Sequence, residues 1–105
     1  MEINYRIERW AEVYAPNPAM LRYILVSEGY RVFQWSSAPG AIFGVHKNNE
    51  DQTHWIVSGA LELTIERFGT FVLKAGDRDF LSANIYHSAK VVGEEPVIYL
   101  IGEKI

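Results

Sequence analysis

From Tyr30 onward the sequence is a succession of short β-type runs separated by turn residues, with no helical stretch between them. "YRVFQWS", "AIFGVH", "THWIVSG", "ALELTIERF", "GTFVLKAG", "HSAKVVG" and "PVIYLIGEK" are each rich in Val, Ile, Tyr, Phe, Trp or Thr, and each has the length of a strand. Parallel neighbours would need long crossovers, usually helical, and the chain leaves no room for them. The pattern therefore predicts an all-β antiparallel sandwich or barrel. In "ALELTIER", Leu61, Leu63 and Ile65 alternate with Glu62, Thr64 and Glu66, as a strand with one wet face requires. The turn "RFG" then sends the chain back into "TFVLKAGD" as a hairpin.

Ahead of these runs, "PNPAMLRYILVSEG" predicts the one helix, at about residues 17–28. Asn17 can cap it, Pro18 suits its first turn, and Gly29 suits a left-handed exit. Leu21, Ile24, Leu25 and Glu28 share a face, so the helix should pack on the sheet and cover one barrel end.

The length of 105 residues predicts a single domain spanning 1–105, the helix followed by a barrel at about 30–103. With no cysteine there are no disulfides, thiolate metal ligands or cysteine nucleophile, so any metal must sit on nitrogen and oxygen. The net charge of −3 comes with no basic stripe, which argues against nucleic acid as a partner. No apolar run approaches the roughly eighteen residues that span a bilayer, which argues against a membrane. The charged start "MEINYRIERW" is unlike a secretory signal, so a cytoplasmic protein is expected. A chain this short buries only roughly 60 to 65% of its extended surface, which leaves apolar area for a second copy, and a homodimer is expected.

Two glycine- and histidine-bearing motifs sit in the strand region. Gly40 is followed by five residues, then His46, Lys47 and Asn48, three residues, Gln52, six residues and Gly59. Further on, Gly76 is followed by five residues, then Ser82, Ala83 and Asn84, two residues, His87, three residues and Val91. This spacing resembles the two motifs of the cupins, small jelly-roll β-barrels. The stretches "LRYILVSEGYRVFQWSSAPG", "WIVSG" and "HSAKVVGEEPVIYLIGEK" extend the resemblance from about residue 16 to near the end. It implies a cupin-like jelly roll with one short N-terminal helix. Cupin activities include dioxygenases, isomerases, lyases, sugar binders and storage proteins, so the fold does not select a function.

Metal-binding cupins hold a divalent ion through the two histidines and the glutamate of the first motif and the histidine of the second. Carried over by position, those ligands would be His46, Asn48, Gln52 and His87, two imidazoles and two neutral amides. Amide oxygens are weak donors that bring no charge to offset the ion. Strand alternation adds an alternative: if Gln52 points inward, so do His54 and Ile56, one pleat of roughly 6.5 to 7 Å apart. His46, His54 and His87 would then form a three-histidine site for Zn, Fe, Mn or Ni, completed by Gln52, with Asn48 and Ile56 as further cavity residues. Such an ion would act as Lewis acid and template for a small polar substrate. An unliganded His54 or His87 would be the general base. The other reading is a metal-free cavity in which the His/Gln cluster hydrogen-bonds a small-molecule ligand directly, since a neutral Gln is cheaper than Glu to bury without a cation.

By motif position Tyr86, Phe43 and Val45 should face away from the cavity, and Trp35 and Trp55 should serve structure alone. There is no phosphate-cradling loop, GxSxG elbow or HExxH, and Ser58, at a strand end before a hairpin glycine, has no nominated base.

Overall fold

The computed structural model describes residues 4–105. The elements in order are β1 (Tyr5–Glu8), α1 (Pro18–Ser27), β2 (Tyr30–Ser37), β3 (Ile42–His46), β4 (Gln52–Ser58), β5 (Ala60–Ile65), β6 (Gly69–Lys74), β7 (Arg78–Leu81), β8 (His87–Val92) and β9 (Val97–Lys104). One sheet has the order β1-β7-β4-β9-β2 and the other β3-β8-β5-β6, with antiparallel pairing throughout. The expected barrel is thus a jelly roll whose two sheets keep separate hydrogen-bond ladders and pack face to face.

The apolar alternation of each sheet builds the core between them. Leu61, Leu63, Ile65, Leu73 and Val91 from one sheet meet Ile56, Leu81, Val97 and Tyr99 from the other, all buried. The hairpin at "RFG" forms as expected, with Phe68 N–H donating to the Ile65 carbonyl at 3.0 Å and Arg67 at φ 75°.

The helix spans Pro18–Ser27, and the Asn17 side chain accepts from the amides of Ala19 (2.9 Å) and Met20 (3.2 Å). Its apolar stripe buries Leu21 and Leu25 against Tyr30, Trp55 and Leu100. Trp55 and Leu100 alternate with the inward residues of β4 and β9, so the helix covers the outer face of the five-stranded sheet, not a barrel end. Glu28, on the same stripe, reaches the buried Arg78 at 3.0 Å, and that guanidinium lies between the Trp55 and Phe80 rings.

Two strands have no counterpart in the sequence reading. The sheet begins at β1, ahead of the helix and well before residue 30, and β7 is the charged tetrapeptide "RDFL". Asp79 faces inward and Arg78 outward. Each polar group has partners waiting for it, which is what lets so polar a strand lie buried.

Gly76, at φ 90°, ends the hairpin arm, and a Cβ there would overlap the Trp10 ring; Gly93, at φ 83°, has open space around it. Both alanine substitutions should cost about 1–2 kcal/mol for the left-handed backbone. Gly76→Ala should cost about 1–3 kcal/mol more through the overlap. Urea unfolding of the two variants measures the difference, and equal losses would mean that Trp10 does not seal this turn.

Candidate functional site

Cross-strand rows place the site. On the inner face of the five-stranded sheet, Arg31, Glu103 and Gln52 lie side by side on β2, β9 and β4. The next row is Phe33, Ile101 and His54, and the next is Trp35, Tyr99 and Ile56. The opposite sheet presents His46, His87 and Ile65 in one row and Phe43, Ala89 and Leu63 in the next. The β3–β4 loop joins His46 to Gln52, so the polar rows of the two sheets share one end. A cavity of about 340 Å³ lies between these faces. Phe33 (42% exposed) and Trp35 (51% exposed) stand at its rim on the sheet-edge strand β2.

A bulge in β3 decides what faces inward. Phe43 pairs with Ala89 and His46 with His87, so two residues, Gly44 and Val45, stand opposite Ser88 alone. An extra residue reverses the alternation at that point. Phe43 and His46 therefore both line the cavity, contrary to the expectation for Phe43, while Val45 faces solvent as expected. Tyr86 is half-exposed outside the cavity, and Trp55 is structural, its indole N–H donating to the Gly76 carbonyl at 2.9 Å. Trp35, expected to be structural alone, lines the cavity.

The three histidines converge. The His46 and His87 ring centres are 4.3 Å apart, and those of His54 and His87 are 6.2 Å apart. Each has its Nδ1 committed: His46 to the Gly44 carbonyl at 2.8 Å, His87 to the Ile85 carbonyl at 2.9 Å, and His54 to the Asp79 carboxylate at 2.9 Å. Carbonyl and carboxylate oxygens only accept, so each Nδ1 carries the hydrogen, and each neutral ring is left with an accepting Nε2. The Nε2 of His87 is buried with no partner among the described residues.

Burial holds the His87 imidazole below its ordinary pKa of 6.5, and the neighbouring His54 and His46 act in the same direction. For His54 burial also pulls downward, but the charge and hydrogen bond of Asp79 outweigh it, and its pKa is raised. Asp79 is fully buried, accepting from the His54 amide (2.7 Å), its ring and the Tyr5 hydroxyl (2.9 Å).

Asn48 and Gln52 also line the cavity but are turned to each other: the Asn48 amide donates to Gln52 Oε1 at 2.8 Å. The Gln52 amide nitrogen faces Glu103 at 3.4 Å. Ile56 points inward and belongs to the apolar core, outside the residues that line the cavity. The sequence reading did not single out Asp79 or Glu103. Glu103 was legible in principle, since it continues the inward series Tyr99, Ile101 along β9.

The donor set fits a metal only in part. Imidazoles sharing one ion with Zn–N bonds of about 2.0 Å have ring centres about 4.5 Å apart at a right angle and about 5 Å apart in a tetrahedron. The His46–His87 pair meets the first value; His54, at 6.2 Å from His87, meets neither. The Gln52 oxygen is taken by the Asn48 amide, and the Gln52 nitrogen faces Glu103. Among the described residues no group of three or more His, Asp or Glu side chains is arranged to hold an ion. The four-residue set His46, Gln52, His54 and His87 is therefore not a ready-made metal centre.

The two shifts predict opposite pH behaviour. His87, lowered, contributes stability that is present above pH 6.5 and lost as the pH falls through its folded pKa. His54, raised, contributes stability that is present below pH 6.5 and lost as the pH rises through its folded pKa. An NMR titration of the ring protons should show His87 titrating below 6.5 and His54 above it, and Asp79→Asn should bring His54 below 6.5, because only burial then remains.

No protein-family model and no curated protein matches the chain. Solved structures do. A Klebsiella pneumoniae protein with a double-stranded β-helix domain matches at 28% identity and TM-score 0.62, over 70% of this chain and 62% of that one. A cupin protein from Bacteroides fragilis matches at 24% identity and TM-score 0.62, over 72% and 66%. The DMSP lyase DddQ from Ruegeria pomeroyi matches at 17% identity and TM-score 0.67, over 73% of this chain and only 39% of the lyase. The chain thus spans less than two thirds of each of these proteins. Two facing antiparallel sheets, one covering helix, motif glycines and Asn84 at positive φ, and neighbours of this kind identify the chain as having the cupin fold.

Proposed function

We propose that the cavity between the sheets binds a small molecule whose polar end meets the histidine cluster and whose apolar body lies along Phe33, Phe43, Leu63 and Ile101. The observation that carries this reading is the buried, unpartnered Nε2 of His87. A buried acceptor left without a donor costs about 1–3 kcal/mol, and such a cost is retained where a ligand or ion satisfies the group. The His46 ring beside it sits on a bulge and is exposed, so it can move aside as a ligand enters. A cavity of this size, mostly apolar with a few converging polar groups, has the character of a small-molecule site at the lower end of the usual volume range.

A second reading has a specific observation in its favour. The 4.3 Å pair of His46 and His87, both with free Nε2 atoms, suits two ligands of one divalent transition metal. Bound there, the ion would supply Lewis acidity to a ligand oxygen. In that case Asp79 would only orient His54 beside the ion.

Two measurements decide between these readings. The first is elemental analysis of protein purified without a metal-chelating column, followed by melting in EDTA and in added Zn, Ni, Mn and Fe. Direct binding predicts substoichiometric metal and an unchanged melting temperature; stoichiometric metal, lost in both His46→Ala and His87→Ala, establishes the metal reading. The second is His87→Leu, which removes the unpaired acceptor together with its one hydrogen bond. Its stability should stay within about 1 kcal/mol of the parent, while binding of cavity ligands is lost. A loss as large as that of an ordinary core truncation, about 2–5 kcal/mol, would make His87 a packing residue.

A further inference from the structure

The polar end of the cavity asks for a particular kind of ligand head. Its hydrogen-bonding capacity is mostly acceptor. The Nε2 of His87 is buried and unpaired. The Nε2 of His46 has no partner among the described residues either, its other nitrogen being held by Gly44. Of the two amides at this end, Asn48 donates to Gln52 Oε1 and the Gln52 nitrogen faces Glu103, so both amide nitrogens are directed at protein oxygens. Glu103 is the single carboxylate among the lining residues, which include no lysine or arginine. His54 lies one row further in; Asp79 holds its Nδ1, forming with it a pair of no net charge when the ring is protonated, and leaves its Nε2 side to the cavity.

The nearest cation is Arg31, across the strand pair from Glu103, and it holds that carboxylate only loosely, at 3.7 Å with its own side chain 55% exposed. Exposed pairs of this kind contribute little. A cation brought into the cavity would be better placed, since it would displace water from Glu103 as it enters and aromatic faces line the approach. Phe33 stands at the rim in the row next to Arg31 and Trp35 in the row after it, and ring faces attract ammonium groups within about 6 Å.

We propose that the ligand class is an organic amine: a protonated ammonium on a small apolar or aromatic body, donating to Glu103 and to the free nitrogen of His87. This rests on the small-molecule reading of the cavity and narrows it to a head group. No covalent step is involved. The ammonium supplies the donors that the polar end lacks and the charge that Glu103 can accept, and its apolar body fills the rows of Phe33, Ile101 and Phe43.

The test uses EDTA-treated full-length protein and matched probes: 2-phenylethylamine and cyclohexylmethylamine, their isosteric alcohols, and the corresponding carboxylates. Saturation-transfer NMR gives Kd for each. The amines should bind at least tenfold more tightly than the alcohols, and the carboxylates should not bind. Glu103→Gln should bring the amines down to the level of the alcohols and leave the alcohols unchanged. Arg31→Gln, which frees Glu103, should tighten the amines two- to threefold; a purely structural ion pair would give no change or a loss. Carboxylates or alcohols binding as well as the amines, or Arg31→Gln weakening the amines, overturns the amine assignment and leaves the cavity reading intact. If none of the probes binds, both fall together.

Discussion

One carboxylate with no exposed surface ties the inner architecture together. Asp79, on the short strand β7, accepts the backbone amide and the ring of His54 from β4 and the hydroxyl of Tyr5 from β1. A buried carboxylate is tolerable only when its oxygens are satisfied, and here each bond comes from a different donor type, an amide, an imidazole and a phenol. The same contacts raise the Tyr5 hydroxyl far above its ordinary pKa, first through burial and then through the charge of Asp79. β1 is therefore anchored by more than its four-residue ladder, and the His54 ring is held in one orientation by a group that never meets solvent. Replacing Asp79 with an apolar residue would leave three donors unpaired at once.

The outer side of the same strand repeats this logic with the opposite charge. Arg78, next in sequence, is buried beneath the helix, its plane between Trp55 and Phe80 and its nitrogens on Thr53 and Glu28. A guanidinium stacked on rings and hydrogen-bonded at its edge keeps most of what water gave it. Removing either partner of the Arg78–Glu28 pair would be costly, whereas the pair itself adds little beyond fixing where the helix end meets the sheet. Alternation along "RDFL" thus sends an acid to the cavity side and a base to the helix side.

That strand also marks the boundary of what the sequence disclosed. The helix, with its cap, and seven of the strands were legible because apolar periodicity and turn residues are local signals, and the motif residue Asn84 has φ 65°, a conformation that Asn tolerates better than most non-glycine residues. β7 carries two charges in four residues and has no local strand signal; its burial depends on partners at Tyr5, Glu28 and His54, remote in sequence. The convergence of His46, His54 and His87 followed from motif spacing and alternation. The inward turn of Phe43 did not, because a one-residue bulge is invisible to a strict period of two. The mutual hydrogen bond of Asn48 and Gln52 was equally hidden, since spacing fixes where side chains start and not which neighbour they choose.

That choice bears on how the site handles charge. Where a metal-binding cupin would place a histidine and a glutamate, this chain has two amides that close on each other, which removes the anion from the inner row and the need for a cation to balance it. A carboxylate nevertheless remains in the cavity, directly across the strand pair at Glu103, partly exposed and loosely matched by Arg31. Moving the charge along that row, from the Gln52 position on β4 to Glu103 on β9 beside the edge strand, changes its use. Deep among imidazoles it would serve to hold an ion in place; at an aromatic-lined rim it is hydrated when the cavity is empty and is desolvated only as something enters. Its attraction is then felt most strongly in the bound state, and that gives selectivity for the charge of an incoming molecule without burying an uncompensated anion in the folded protein.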